Sequence, residues 1–296
     1  MTQNDPYRPP QSGQYIPPPP QQYGGSDIPP DSPQHYSSAP HARRNRGIAG
    51  GILTALLAAW AYGKYALLFV FKVPALTTLV TLLISFGLYA EVYGGWFALG
   101  LVSMILVHEM GHVVEIRRQG MRASAPVFVP FLGAAIFQSS HPSDALKQAQ
   151  IGIAGPIAGT LGATAAFVLF GATQNPVFLL MAWIGFYINL FNLIPVWMLD
   201  GSWIMGPTTR SFRIGASALV VAAGFLFHLQ VSPLLIIIGL VGIVTGAMGR
   251  GKESNPYYSS VPVAARTGIG LAWLALVLYL GVASAQAFDL LNQFGR

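Results

Sequence analysis

The chain contains no cysteine, which excludes disulfide bonds and metal sites built from thiolates. It is also poor in charge: 9% of its 296 residues are charged, whereas a soluble domain carries about 25%. Together with a hydrophobic content of 53%, this shortage excludes an ordinary soluble domain and is typical of a polytopic membrane protein. Residues 1–46 have no apolar core, so we expect no cleavable signal peptide.

The net charge of +6 does not indicate a nucleic-acid partner, because the basic residues cluster beside apolar runs. Lysine and arginine accumulate in this way in the cytoplasmic loops of membrane proteins. The clusters that follow the pattern are Arg43, Arg44 and Arg46; Arg117 and Arg118; Arg210 and Arg213; and Arg250 and Lys252.

The first 42 residues hold eleven of the twenty-two prolines. Such a segment cannot bury enough apolar surface to fold. We therefore predict a disordered proline-rich tail over residues 1–46, which could dock a partner that binds proline-rich segments. The remainder, residues 47–296, is predicted to form one membrane-embedded domain.

The predicted fold is an all-α polytopic membrane protein with about six to eight transmembrane helices, each needing about 20 apolar residues. Residues 121–138 differ, because prolines and a glycine interrupt an apolar stretch rich in valine and phenylalanine. They predict a short β-hairpin or a re-entrant loop, which at membrane depth must be shielded by protein. The predicted helices span residues 48–63, 66–90, 94–116, 148–172, 176–197, 213–229, 232–249 and 267–287.

The basic clusters also predict an orientation. If Arg117 and Arg118 are cytoplasmic, the helix over 94–116 runs inward, and Asp200 lies at the cytoplasmic end of a later helix. The arginines at 43–46 should be cytoplasmic too, so we expect that one of the first two apolar segments does not cross the membrane.

A His-Glu-x-x-His pattern, residues 108–112, lies near the end of the helix predicted over 94–116. Histidines four residues apart share one helix face and can bind zinc, and the glutamate beside the first can act as a general base. Ionisable groups inside a membrane span are costly and therefore indicate function. His108 lies only about 12 Å deeper along the helix axis than Ile116, so Asp200 can meet the histidines at a similar depth. Two histidines, one carboxylate and a water make a catalytic zinc site.

Two motifs resemble the signatures of the site-2 protease family of intramembrane zinc metalloproteases. The first is the His-Glu-x-x-His pattern, and the second is the Asn-x-x-Pro-x-x-x-x-Asp-Gly pattern over residues 192–201. The resemblance covers about residues 94–205 and implies zinc ligation by His108, His112 and Asp200. It also implies that Glu109 is the catalytic acid and base, and that Asn192 helps to position the substrate or the oxyanion.

Other polar residues offer alternative roles. Glu115 shares the helix face of the two histidines and is a rival third ligand, although a contact with Arg118 is the simpler interpretation. His141 and Asp144 belong either to a solvated loop or to a gate. His228 is expected at the membrane interface.

The predicted function is zinc-dependent endopeptidase activity on membrane-protein substrates, with one Zn2+ per chain. The protein is expected to be a multi-pass cell-membrane protein with its active site near the cytoplasmic face. The alternatives are another membrane metallopeptidase, such as a prenyl-protein protease, and a non-catalytic scaffold or metal transporter. A transporter is disfavoured because the charges gather at one face rather than across the full depth.

Overall fold

The computed structural model describes residues 48–196, 198–227, 231–248 and 255–294. The predicted tail, His228 and the Arg250 cluster lie outside the described residues. The described residues divide into two units, the first ending at residue 61 and the second beginning at residue 62. The described elements are α1 (Ile48–Lys72), α2 (Pro74–Tyr93), α3 (Gly95–Arg118), β1 (Val127–Val129), β2 (Gly133–Ala135), α4 (Ala145–Thr173), α5 (Pro176–Asn192), α6 (Asp200–Ile204), α7 (Arg210–Phe227), α8 (Ser232–Met248), α9 (Pro256–Ser259) and α10 (Val263–Phe294).

Among the described residues, four helices are long and apolar enough to cross a membrane: α2, α3, α4 and α10. The shorter helices α5 and α8 are also apolar. The predicted all-α membrane architecture with a small antiparallel hairpin is therefore confirmed, whereas the number of six to eight spans stays a prediction.

The boundary between the first two helices differs from the prediction. The sequence pattern placed it at residues 64–65, but α1 continues to Lys72 and α2 begins at Pro74. Val73 has an extended backbone, because the proline ring disfavours helical geometry in the residue before it. Pro74 itself occupies the first turn of α2, where its missing N–H is tolerated.

The hairpin predicted within residues 121–138 is present. β1 and β2 pair antiparallel, with Val127 opposite Ala135 and Val129 opposite Gly133. The turn closes with a hydrogen bond from the N–H of Leu132 to the carbonyl of Val129 at 3.0 Å. Phe131 has a positive φ of 64°, and Phe131 and Leu132 at the tip are exposed.

In the second unit, α3, α4 and α5 pack against one another, and α10 packs on α5. Small residues allow this approach: a Cβ on Gly185 would meet the side chains of Ala163 and Met104 at 2.7 and 2.9 Å. Packing of small residues is the usual way in which membrane helices associate closely.

Helix α5 ends at Asn192, five residues before the predicted end. Pro195 cannot donate a backbone hydrogen bond, and the chain leaves the helix before it. The buried indole of Trp273 donates to the carbonyl of Leu193 at 2.9 Å, which satisfies a carbonyl at the helix end. The connection then leads into the short helix α6, whose first residue is Asp200.

Candidate metal centre

The two histidines lie side by side on the buried face of α3. One helical turn separates His108 from His112, and their Nε2 atoms are 3.1 Å apart. Both side chains are buried, at 3% and 8% exposure. Their metal-binding nitrogens therefore converge on one point inside the helix bundle.

Asp200 brings a carboxylate to the same point from α6. Its Oδ2 lies 3.0 Å from the Nε2 of His108, and its Oδ1 lies 3.3 Å from the Nε2 of His112. One ligand atom from each of the three residues falls within 4.8 Å of the others. The ionised carboxylate is the form in which Asp200 would bind a metal.

The outer nitrogens of the two imidazoles are held by oxygen acceptors. His108 Nδ1 lies 2.8 Å from Asn189 Oδ1, and His112 Nδ1 lies 2.8 Å from the carbonyl of Ile151. A carbonyl can only accept, so His112 carries its proton on Nδ1. The amide of Asn189 is oriented by Nδ2, which donates to the carbonyl of Gly185 at 2.6 Å, so Oδ1 accepts from His108.

Metal binding requires neutral imidazoles, and in that form the outer contacts leave both Nε2 atoms with lone pairs that point at each other and at the Asp200 carboxylate. Three electron donors at hydrogen-bond distance with no proton between them repel, and a cation at their centre removes that repulsion. Asp200 Oδ2 is buried without a hydrogen-bond partner among the described residues. The arrangement therefore fits a metal ion, and histidines fixed by an outer acceptor are typical of metal ligands.

Glycines of α4 form the wall behind the imidazole and the amide. A Cβ on Gly155 would overlap the ring of His112, and a Cβ on Gly159 would overlap the amide of Asn189. A Cβ on Gly201, next to Asp200, would likewise overlap the carbonyl of Leu193. The absence of side chains at these positions is what allows α4 and α6 to approach the centre.

Glu109 is buried on α3 beside the histidines. Its carboxylate is near enough to interact electrostatically with His108, His112 and Asp200. A carboxylate at the edge of a metal centre, and outside its ligand set, is where a general base belongs.

The structure does not bring every candidate residue to the centre. Glu115 forms a two-fold ion pair with Arg118, with N–O distances of 2.6 and 2.8 Å. His141 is exposed, and Asp144 caps α4 by accepting from the N–H of Lys147 at 2.9 Å.

The side chain of Asn192 donates to the carbonyl of Ile188 on its own helix at 3.2 Å. The amide that contacts the centre is Asn189, one helical turn earlier, which the motif reasoning missed. A signal for it exists in the sequence, because Asn189 is a polar residue inside an apolar run. Polar residues within apolar helices usually mark a partner.

Comparison with known proteins agrees with the first motif, the His-Glu-x-x-His pattern at residues 108–112. Residues 96–177 match the model of Peptidase family M50, a segment that runs from the start of α3 through the hairpin and α4 into α5. No curated protein matches the chain. The resemblance to the site-2 protease family is thus confirmed over residues 96–177, which are similar to a family of peptidases and lie in a chain with four described helices able to cross a membrane.

Proposed function

We propose that this protein is an intramembrane zinc endopeptidase that hydrolyses peptide bonds in or near transmembrane segments of membrane-protein substrates, in regulated intramembrane proteolysis. The observation that carries the proposal is the convergence of two imidazole nitrogens and one carboxylate on a buried point beside Glu109. The match of residues 96–177 to a peptidase family supports the same reaction class.

Zinc is the metal that this donor set favours. Nitrogen and carboxylate donors in a two-to-one ratio, with one position open, are typical of catalytic zinc, whereas magnesium and calcium prefer oxygen donors alone. His108, His112 and Asp200 would hold one zinc ion. When bound, zinc supplies Lewis acidity, which polarises a peptide carbonyl and lowers the pKa of water to about 7.

The protein's own residues supply the proton transfers and the orientation. Glu109 takes a proton from the attacking water and returns it to the nitrogen of the leaving amine. Asn189 and the carbonyl of Ile151 hold the imidazoles in place throughout. Asn192 is proposed to position the substrate or its carbonyl oxygen, which requires its amide to leave the carbonyl of Ile188.

The active site is proposed to lie near the cytoplasmic face. The end of α3 carries Arg117 and Arg118, and α4 begins nearby with Lys147, whose carbonyl accepts from Gln119 at 3.0 Å. Basic residues at helix ends favour the cytoplasmic side. Water would reach the centre from this side.

A helical substrate must unwind before it can be cleaved, because a helix hides its peptide bonds in its own hydrogen bonds. An extended segment can pair with an open strand edge, as in β-strand addition. We propose that the hairpin formed by β1 and β2 holds the unwound segment in this way.

The proposal is tested by Glu109→Gln in protein purified in detergent, with a labelled transmembrane peptide as substrate. We expect wild-type zinc content and loss of cleavage. Glu115→Gln, on the same helix but paired with Arg118, is the matched control and should retain both. Full cleavage by Glu109→Gln would contradict the proposed mechanism.

A further inference from the structure

Three side chains of α2 bind the backbone of the hairpin. Thr78 Oγ1 donates to the carbonyl of Pro126 at 2.7 Å. The N–H of Phe128 donates to Thr81 Oγ1 at 3.2 Å, and the N–H of Phe131 donates to Tyr89 Oη at 2.8 Å. The hydroxyls therefore follow β1 from its start to the turn.

The three hydroxyls share one face of α2. Thr78, Thr81 and Tyr89 are spaced by three and eight residues, close to whole helical turns. Ser85 lies on the same face between them, but its buried Oγ has no hydrogen-bond partner among the described residues. The ring of Tyr89 also packs edge-on against Phe131, with centroids 5.3 Å apart. A row of hydroxyls on an apolar helix thus serves the hairpin.

The strand register shows which edge these contacts occupy. Because the N–H of Phe128 points to α2, Phe128 and Ala134 form a pair without mutual hydrogen bonds. The N–H and C=O of Ala134 therefore point away from β1. Within the described part of the chain, β2 has β1 as its sole strand partner, so the outer edge of β2 offers backbone groups for pairing.

We propose that Thr78, Thr81 and Tyr89 are positioning residues that fix the β1 edge of the hairpin to α2. In doing so they leave β2, which contacts α3, as the edge that receives the unwound substrate. The hydroxyls occupy backbone groups of the β1 edge, where a third strand would otherwise pair. The substrate then pairs only with the β2 edge, in a single register. This inference rests on the proposed proteolytic function and on strand addition to the hairpin.

The first test replaces the hydroxyls and follows where the substrate is cut. The double variant Thr78→Val/Thr81→Val should lower kcat/KM about tenfold, the effect of two lost hydrogen bonds. It should also spread cleavage over several neighbouring bonds, as read by mass spectrometry of the products. The variant Thr78→Ser/Thr81→Ser keeps both hydroxyls and should restore the wild-type bond. Wild-type rate and cleavage position in the valine variant would overturn the inference.

Matched variants separate positioning from stability. Ser85→Ala, on the same face of α2 but without a hairpin contact, should cleave like the wild type. If the valine variant does not fold, Tyr89→Phe keeps the ring and removes one acceptor. It should likewise broaden the set of cleaved bonds, and an unchanged set would count against the inference.

A second test locates the edge directly, using the absence of cysteine from the chain. Ala135→Cys on β2 and Val127→Cys on β1 lie opposite each other in the hairpin. Each is combined with Glu109→Gln and a substrate that carries a single cysteine at successive positions. We expect disulfide cross-links from Ala135→Cys at alternate substrate positions and few from Val127→Cys. Stronger cross-linking from Val127→Cys would overturn the assignment of the edge.

These variants distinguish failure of the proposed function from failure of the role given to the α2 hydroxyls. Cleavage by Glu109→Gln alone would defeat the proposed function. Loss of cleavage in that variant, with normal cleavage positions in Thr78→Val/Thr81→Val, would defeat only the role of the α2 hydroxyls.

Discussion

Replacement of Asn189 by alanine tests how the metal centre is held. Asn189 is fully buried, and its Oδ1 accepts from His108 Nδ1 at 2.8 Å. Alanine removes this acceptor and leaves the imidazole N–H buried without a partner. The ring then loses the contact that fixes its tautomer and its direction toward Asp200.

The expected magnitude follows from the kind of contact that is lost. Removing an outer partner of a metal-binding histidine lowers metal affinity about 10–100-fold. This corresponds to about 1.4–2.7 kcal/mol, which agrees with the cost of about 1–3 kcal/mol for a buried donor left unpaired. We therefore expect the zinc Kd of Asn189→Ala to rise by that factor.

The assay is a competition titration of metal-stripped protein in detergent against a chromophoric zinc chelator at fixed pH. Asn192→Ala is the comparator from the same helix, because the Asn192 amide bonds to the carbonyl of Ile188. It should keep the wild-type zinc Kd and lower kcat if Asn192 positions the substrate. A zinc Kd for Asn189→Ala within about twofold of the wild type would refute the reasoning about the imidazole.

Two further predictions concern α4. Gly155→Ala places a methyl group on the ring of His112 and should weaken zinc binding by about 1–3 kcal/mol, whereas Gly171→Ala, with nothing within 4 Å, should leave it unchanged. A competition titration of both variants checks this, and equal affinities would contradict it. Asp144→Ala removes the cap of α4 and should lower the free energy of unfolding in detergent by about 1 kcal/mol. Partial burial acts to raise the pKa of Asp144, but the N–H of Lys147 lowers it below its ordinary value. The stabilisation by Asp144 is therefore present above the pKa that this group has in the unfolded chain, and it is lost as the pH falls through the lower pKa of the folded protein. A melting temperature of Asp144→Ala equal to that of the wild type at pH 7 would contradict the role of the cap.

Local spacing carried much of the information about the site. The four-residue separation of His108 and His112 places both on one helix face whatever the rest of the chain does. The second motif added Asp200, which the structure brings within 3.0 Å of His108. The hairpin was also predictable, because Pro130 and Gly133 interrupt an apolar run too short for two helices.

Other features depend on three-dimensional packing that no local pattern reveals. Asn189 and Asn192 are one turn apart on an apolar helix, and only the crossing of α5 with α3 decides which amide meets His108. The hydroxyls of Thr78 and Thr81 are compatible with any membrane helix, since a threonine can bond to its own backbone. Their role becomes visible only when the hairpin is seen against α2.

The most direct test of the central claim is the zinc content of purified wild-type protein and of Asp200→Ala, measured by elemental mass spectrometry after removal of loosely bound metal. The account predicts one zinc per wild-type chain and a large loss in the variant, because Asp200 supplies one of the three converging ligand atoms. Equal zinc content in the two proteins would contradict the assigned ligand set.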